Sequence, residues 1–593
     1  MPIHRPSQCY SLGRQNKLFL THYQPTAMSK IASVFNSICF VFLVFTATSP
    51  LHAQSEDPKA PNWQKYHTTA DAYALLKGWA TAFPNLTSLY SIGETLKGTP
   101  LMVLEITNKE TGKAADKPAY YYDGNIHAGE LTGGEVSLHF AWYVLSNYDK
   151  DPRIKYLLDT RTLYVRPKFN PDGADIALTT PNALRSTPRP YDEDSDGLLD
   201  EDPGNDLNKD GLITDIRVKN PSGRWKISQG DARIMTAREP NDLTGDFYDV
   251  YDEGVDDDKD GLYNEDGIGG IDMNRNFPRN WGLESEQNGA GPYPLSEPET
   301  RSTIEFINSH RNITGIFHGH TSGGYLFRLP STTSWDNFNM EDQQLIVELA
   351  NKYQATTGQR VIPSYSNPRL HRHGTLISWG YWDYGVVGFV PEFWGGFGED
   401  YDKDGKVTDA ERMKWNDEKL GGKGFVNWQS YQHPQLGQVE IGGWNTKFTR
   451  QNPPVEMLKK EIEMYVPWML WLAEGSPRVI IKEWAATAVE KGKVYKLDLA
   501  IENEGYLPTN ISKRALEMDI AKPVRAILEL KDAELISGKS RTDLGHLKGR
   551  RDGEGPAGQA IGYVIKVVGK NPTATITIQS EKGGTTRKEI SLK

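Results

Sequence analysis

His127 and Glu130 stand three residues apart in Gly-Asn-Ile-His-Ala-Gly-Glu, directly after the apolar run 119–122 and just before a helical pattern. A strand end is where α/β proteins expose reactive side chains, and an imidazole and a carboxylate at this spacing can turn toward one point, as a metal site requires. Alone the pair is a weak signal, because HxxE is common by chance. Four further groups follow it along the chain. Asn170-Pro171-Asp172-Gly173 follows a strand, and Asp272-Met273-Asn274-Arg275-Asn276-Phe277 follows a glycine-rich turn. His320 follows the run 313–317 in His-Thr-Ser-Gly-Gly-Tyr, and Phe389-Val390-Pro391-Glu392 ends another apolar run.

A second chemistry is written in oxygen. Three acidic stretches, Asp192–Asp215, Asp252–Asp266 and Glu399–Glu411, hold ten, eight and six acids against one, one and two lysines. Carboxylates this dense repel one another unless a cation sits among them. Asp400, Asp402, Asp404, Gly405, Lys406, Thr408 and Glu411 fit positions 1, 3, 5, 6, 7, 9 and 12 of an EF-hand calcium loop, Lys406 through its carbonyl and Glu411 as the bidentate closing ligand. Asp206, Asn208 and Asp210 begin a second loop whose twelfth position is Arg217, so an ion there needs other ligands. Asp192, Asp194 and Asp196, and Asp256, Asp258 and Asp260, begin two more that also lack the closing Glu. Solvated acidic turns are the plain alternative for all of these loops.

The elements that must position these groups alternate. Helical spacing over Trp63–Phe83, Glu135–Tyr148, Glu297–Ser309 and Gln343–Thr356 is interleaved with strands over Ile92–Thr107, Ala119–Tyr122, Arg161–Pro167 and Thr314–Phe317. This predicts an α/β fold, a central sheet layered by helices. One last helix is expected over Pro454–Glu474. Beyond Gly475, Ser476 and Pro477 the pattern turns to short alternating runs, which predict a C-terminal all-β sandwich over 476–593 and leave 54–475 as the domain that carries the groups above.

At 593 residues, with 37% hydrophobic and 24% charged residues, the chain has material for a large core and more than one domain, which excludes global disorder. A net charge of −11 gives no chain-wide attraction to nucleic acid. Residues 1–53 carry Arg5, Arg14, Lys17 and Lys30, no acid, a short apolar run Ile38–Phe45 and then Leu51-His52-Ala53. This reads as a secretory leader, with Met28 an alternative start, so a secreted or periplasmic protein is expected. Cys9 and Cys39 both fall in it, which leaves a mature chain without disulfides and without a membrane span.

The order HxxE, NPDG, NRN, His and F-x-x-E resembles the zinc carboxypeptidases of the funnelin type, over roughly residues 60 to 475. The resemblance implies a mixed central sheet and one catalytic zinc held by His127, Glu130 and His320, with peptide or protein C-termini as substrate. Glu392 would act as general base on a zinc-bound water, and Asn274 and Arg275 would grip the free C-terminal carboxylate. Arg217, in Asp-Ile-Arg-Val-Lys, best resembles the oxyanion arginine, with Arg224, Arg233 and Arg238 in the same stretch. Counting back from Glu392 places Ile377 at the base of the specificity pocket, which favours bulky apolar C-terminal residues. His318 would face away from the site if a bend falls between it and His320, and is read as structural. Two departures bear on substrate preference. Gly98-Thr99-Pro100 stands where the family often has Gly-Arg-Pro, and Leu370 where digestive members carry a tyrosine, with Tyr365, His371 and His373 nearby. A zinc peptidase or amidase acting on cell-wall peptides, or a calcium-dependent binding protein on an inert peptidase fold, are the alternatives.

Overall fold

A computed structural model describes residues 60–192, 197–259, 261, 263–264, 266–364, 372–552 and 558–593. The leader with both cysteines, Asp194, Asp196, Asp260, Tyr365, Leu370 and His371 lie outside the described residues.

Eight strands make the sheet that carries the site: β1 (Thr87–Glu94), β2 (Pro100–Ile106), β3 (Ala119–Gly124), β4 (Thr162–Arg166), β5 (Ile313–Thr321), β6 (Tyr325–Arg328), β7 (Arg360–Pro363) and β8 (Val387–Phe393). Their order is β1-β2-β4-β3-β5-β8-β6-β7. The inner four, β4, β3, β5 and β8, run parallel, and β2 and β6 border them antiparallel, so the sheet is mixed. Every residue of β3 and β5 is buried, as expected of parallel strands covered on both faces. Alternation of side chains does the covering. Tyr122 packs on Phe140 (ring centroids 4.7 Å) and donates to the Met469 carbonyl on one face, while Tyr121 meets Phe306 (6.1 Å) on the other. Each such ring contributes about 1.5–3 kcal/mol through burial.

The expected helices form at Thr69–Ala82, Leu131–Asn147, Pro298–Ser309 and Met340–Thr357. The single helix expected over Pro454–Glu474 is two, Val455–Glu463 and Val466–Glu474, with Pro467 in the first turn of the second. Proline has no N–H to continue the earlier helix but fits a first turn, which explains the break.

The acidic stretches belong to an element that the hydrophobic pattern did not reveal. A six-stranded sheet runs in the order Phe425–His433, Gly437–Trp444, Asp215–Lys219, Phe247–Asp252, Trp225–Ile227, Met235–Ala237. Four of its six strands are only three to six residues long, most of its residues are half-exposed or exposed, and its apolar core is small (Ile216, Val439 and Ile441), so the pattern marks it poorly.

Beyond Ser476, two four-stranded antiparallel sheets enclose a core of their own, with Leu497, Leu499 and Ile565 from one sheet meeting Ala526, Leu528, Ile576 and Ile578 from the other. They belong to the same compact unit, residues 55–593, as the mixed sheet. Lys582 donates to the carbonyl of Ile313, the first residue of β5, at 2.7 Å, and Ser512 donates to the Gly385 carbonyl at 2.8 Å.

Candidate active site

The turn after β3 is built for close approach. A Cβ on Gly124 would come within 2.1 Å of the Gly133 carbonyl oxygen, and one on Gly133 within 2.5 Å of that of Gly319, so glycine alone lets helix Leu131–Asn147 begin hard against β3 and β5. Asn125, at φ 66°, caps the turn by donating to the carbonyls of His127 and Ala128 at 2.9 Å each. Thus His127 and Glu130 are presented at the end of β3, and His320 comes from the end of β5, beside Glu392 of β8 in register.

The three side chains converge. His127 Nδ1 lies 2.7 Å from Glu130 Oε1, His320 Nδ1 2.9 Å from Glu130 Oε2, and the two Nδ1 atoms are 3.2 Å apart. All three residues are at most 4% exposed. Each Nδ1 has its own Glu130 oxygen in reach, and two imidazole nitrogens turned toward one another beside a carboxylate are also the donor set that a zinc ion with an open position takes. His127 Nε2 bonds Asp272 Oδ1 at 3.0 Å, which fixes the tautomer that leaves Nδ1 free for a metal. Burial, chiefly, holds the His320 pKa down at about 3, which favours the neutral ring that a metal ligand needs. Burial and Arg185 press the His127 pKa down, but Glu130 and Asp272 outweigh them and raise it. Burial and the neighbouring Glu130 carboxylate push Glu392 well above the usual carboxylate range, a shift that a cation between them would oppose.

Asn274, Arg275, Ile377 and Glu392 line one cavity with His127 and His320. Asp272 caps the short turn Met273–Arg275 by accepting from Asn274 N at 2.8 Å, and Arg275 is held by donating to the Asn274 carbonyl at 2.8 Å. The second asparagine of the motif, Asn276, is structural, donating to Ala290, Tyr293 and Ser296. His318 is not turned away. Its ring lies 4.5 Å from that of His320, on the same face as alternate strand residues must be, and is taken up by fully buried Asp123 at 2.5 Å. Thr99 of Gly98-Thr99-Pro100 donates to Asp172 of the NPDG turn at 2.5 Å.

The structure does not bring Arg217 to this cavity. It lies in the strand Asp215–Lys219 of the six-stranded sheet, where its Nε donates to Glu440 at 2.9 Å and its guanidinium covers Trp428 at 4.4 Å. Arg185 lines the cavity instead, with Nη1 3.3 Å from Glu130 and Nη2 3.0 Å from Asp272. It is delivered by backbone pairing: Ala128 N donates to the Arg185 carbonyl (2.9 Å), Gly129 N to that of Leu184 (2.6 Å), and Asn170 Nδ2 to that of Ser186 (3.0 Å). Sequence reasoning missed it, although it is the first arginine after the NPDG helix Pro171–Thr179.

The acidic loops share one backbone. Positions four and six are left-handed in the loops at 206, 256 and 400: Lys209 and Gly211 (φ 62°, 91°), Lys259 and Gly261 (74°, 96°), Lys403 and Gly405 (62°, 88°). The sixth N–H returns to the first carboxylate, Gly405 to Asp400 and Gly211 to Asp206 at 2.9 Å, Gly261 to Asp256 and Gly197 to Asp192 at 3.2 Å. Oxygens of Asp400, Asp402 and Asp404 lie within 4.8 Å of one another. Glu411 accepts from Tyr401 N, Asp402 N and Thr408 N, positions 2, 3 and 9. In the second loop the same three positions, Leu207 N, Asn208 N and Thr214 N, donate to Glu253, a buried residue from the end of strand Phe247–Asp252. Asp202 does likewise for the loop at 256, accepting from Asp257 N and Asn264 N at positions 2 and 9.

Residues 72–397 match the zinc carboxypeptidase family, and 478–591 match a domain of unknown function. This chain belongs to the zinc carboxypeptidase family. Among relatives, carboxypeptidase M of Mus musculus is 34% identical over 125 residues, 21% of this chain and 28% of that protein. Carboxypeptidase SOL1 of Arabidopsis thaliana is 35% identical over 127 residues, 21% of this chain and 26% of that one. The chain thus spans less than a third of the length of these relatives. The crystal structure of thrombin activatable fibrinolysis inhibitor aligns with 71% of this chain and 79% of its own at 15% identity and a TM-score of 0.44.

Proposed function

We propose that this protein is a zinc carboxypeptidase that hydrolyses the last peptide bond of chains ending in a free carboxylate. The observation that carries the reading is the meeting of His127, Glu130 and His320 beside Glu392 and Arg275 in one cavity. A zinc ion held by the first three would polarise the scissile carbonyl and acidify water. The chain's own residues supply the rest. Arg275, with the Asn274 amide beside it, offers a planar fork to the terminal carboxylate. Arg185 faces the site as a fixed cation for charge that develops on the carbonyl oxygen. Glu392 takes a proton from the attacking water on a carboxylate oxygen and delivers it to the departing amine. Hydrolysis of matched peptides with free-acid and amide termini, by protein with measured zinc content, tests this: the acid is cleaved and the amide is not, and equal rates on both overturn it.

We infer further that calcium fills the acidic loops. The reading is supported by the shared loop backbone and by Glu253 and Asp202, which stand where the chain itself supplies Glu411 in the loop at 400.

A further inference from the structure

The cavity that holds Glu392 and Arg275 is also lined by Arg372, Ser331, Phe327 and Ile377. The guanidinium of Arg372 donates to the Ser364 carbonyl and lies 4.7 Å from the Phe327 ring centroid, and among the described residues it has no carboxylate partner. Ser331 is 2% exposed, and its hydroxyl has no hydrogen-bond partner among the described residues. The Arg372 N–H bonds the Ser331 carbonyl at 3.3 Å, so the two side chains leave adjoining backbone. A buried hydroxyl without a partner is costly and is relieved by a ligand that accepts from it.

Charge decides what that ligand is. Of the three guanidiniums lining the cavity, Arg185 is paired with Glu130 and Asp272, whereas among the described residues Arg275 and Arg372 are in no ion pair and Glu392 is the one carboxylate of the lining. A peptide C-terminus brings one negative charge, which Arg275 takes. We propose that Arg372 and Ser331 form a pocket for a second carboxylate, so that the enzyme prefers peptides whose last residue is glutamate or aspartate. This rests on the carboxypeptidase reading above and replaces the apolar preference expected from Ile377 alone. Phe327, Ile377 and Val390 give the pocket apolar walls, which strengthen a charge-assisted hydrogen bond and make an unpaired guanidinium costly to fill with an apolar side chain.

The test uses the zinc-loaded full chain and N-acylated dipeptides that differ only in the last residue: Glu, Gln and Leu. The native enzyme is expected to favour Glu over Gln by about tenfold or more in kcat/KM, since a site built around a polar partner rejects the analogue that lacks it. Arg372→Gln is expected to bring that ratio near one, with the loss carried by KM, and Ser331→Ala to lower it several-fold. Calorimetric binding of the same peptides to zinc-loaded Glu392→Gln reads the preference without turnover. Equal handling of Glu and Gln, a preference for Leu, or an Arg372→Gln variant with the native ratio overturns the proposal. An Arg372→Gln that slows all three peptides equally also overturns it, because Arg372 then serves the terminal carboxylate. If Leu-ended peptides are cleaved while Glu-ended ones are refused, the carboxypeptidase reading survives and this pocket does not. If no free-acid peptide is either cleaved or bound, both fall.

Discussion

Glu392 and Arg185 reach the same cavity from different elements, and their substitutions separate two effects. Glu392→Gln keeps shape and hydrogen bonding but cannot take a proton, so turnover should fall about 10²–10⁴-fold with zinc content unchanged. A variant that keeps native turnover would remove Glu392 as the base. Arg185→Ala should lower kcat by about 10²–10³-fold, the cost of removing one donor to a developing oxyanion. Arg217→Ala, by contrast, removes a buried guanidinium from Glu440 and Trp428 and should cost about 1–3 kcal/mol of stability in denaturant unfolding while leaving kcat near native. The reverse assignment of those two phenotypes would restore Arg217 to the site. Which arginine serves was not legible in the sequence, because the acid-rich insert offers several and only tertiary pairing of Leu184 and Arg185 with Ala128 and Gly129 selects one. His127 and Glu130 were legible as a pair because they share one turn, whereas His320 stands 193 residues further on, reaches them only through the pairing of β3 with β5, and was pointed to by the order of motifs along the chain.

At the scale of elements, the second acidic loop carries a crossed prediction. Burial raises the pKa of Glu253, so its ionised form costs stability above its ordinary pKa unless a cation sits beside it. Glu253→Gln removes the charge but keeps only one acceptor oxygen for Leu207 N, Asn208 N and Thr214 N, so, whatever its stability in chelator, it should gain less from calcium than the native chain does. At calcium a hundredfold above the site's Kd, one filled site adds about 2.7 kcal/mol, which the variant should forfeit. Glu411→Gln should forfeit a similar amount, additively, because the two loops lie in different stretches of chain with separate partners. Thermal unfolding in EGTA and in calcium reads all three, and an equal calcium gain in native and Glu253→Gln protein would sink the site. The first six positions of each loop could be read from composition, since they fold on themselves. The closing carboxylates of the loops at 206 and 256 could not, because Glu253 and Asp202 arrive from elsewhere, brought by the largely half-exposed six-stranded sheet that the pattern marks poorly.

For the whole molecule, the C-terminal sheets were visible as a change of period after Pro477, but not what they do to the rest of the fold. Lys582 answers part of that. Its ammonium is buried on the Ile313 carbonyl and over the Tyr384 ring at 4.0 Å, where β5 starts toward His320. Burial, with Arg311 nearby, holds its pKa well below the ordinary lysine value. The unfolded chain, with its Lys582 at the ordinary value, binds this proton up to about pH 10.5, while the folded chain releases it earlier. Between the lowered pKa and 10.5 the unfolded state therefore holds more protons, and this group makes the fold more stable as pH rises, by at most about 1.4 kcal/mol per pH unit. Lys582→Met has no proton to release, so the native protein should gain stability relative to the variant between pH 9 and 10, read as the difference in denaturant unfolding free energy at each pH. Parallel pH profiles would mean that Lys582 keeps an ordinary pKa in the fold, and that the C-terminal sheets meet the mixed sheet across water rather than across a dry contact under the strand that ends at His320.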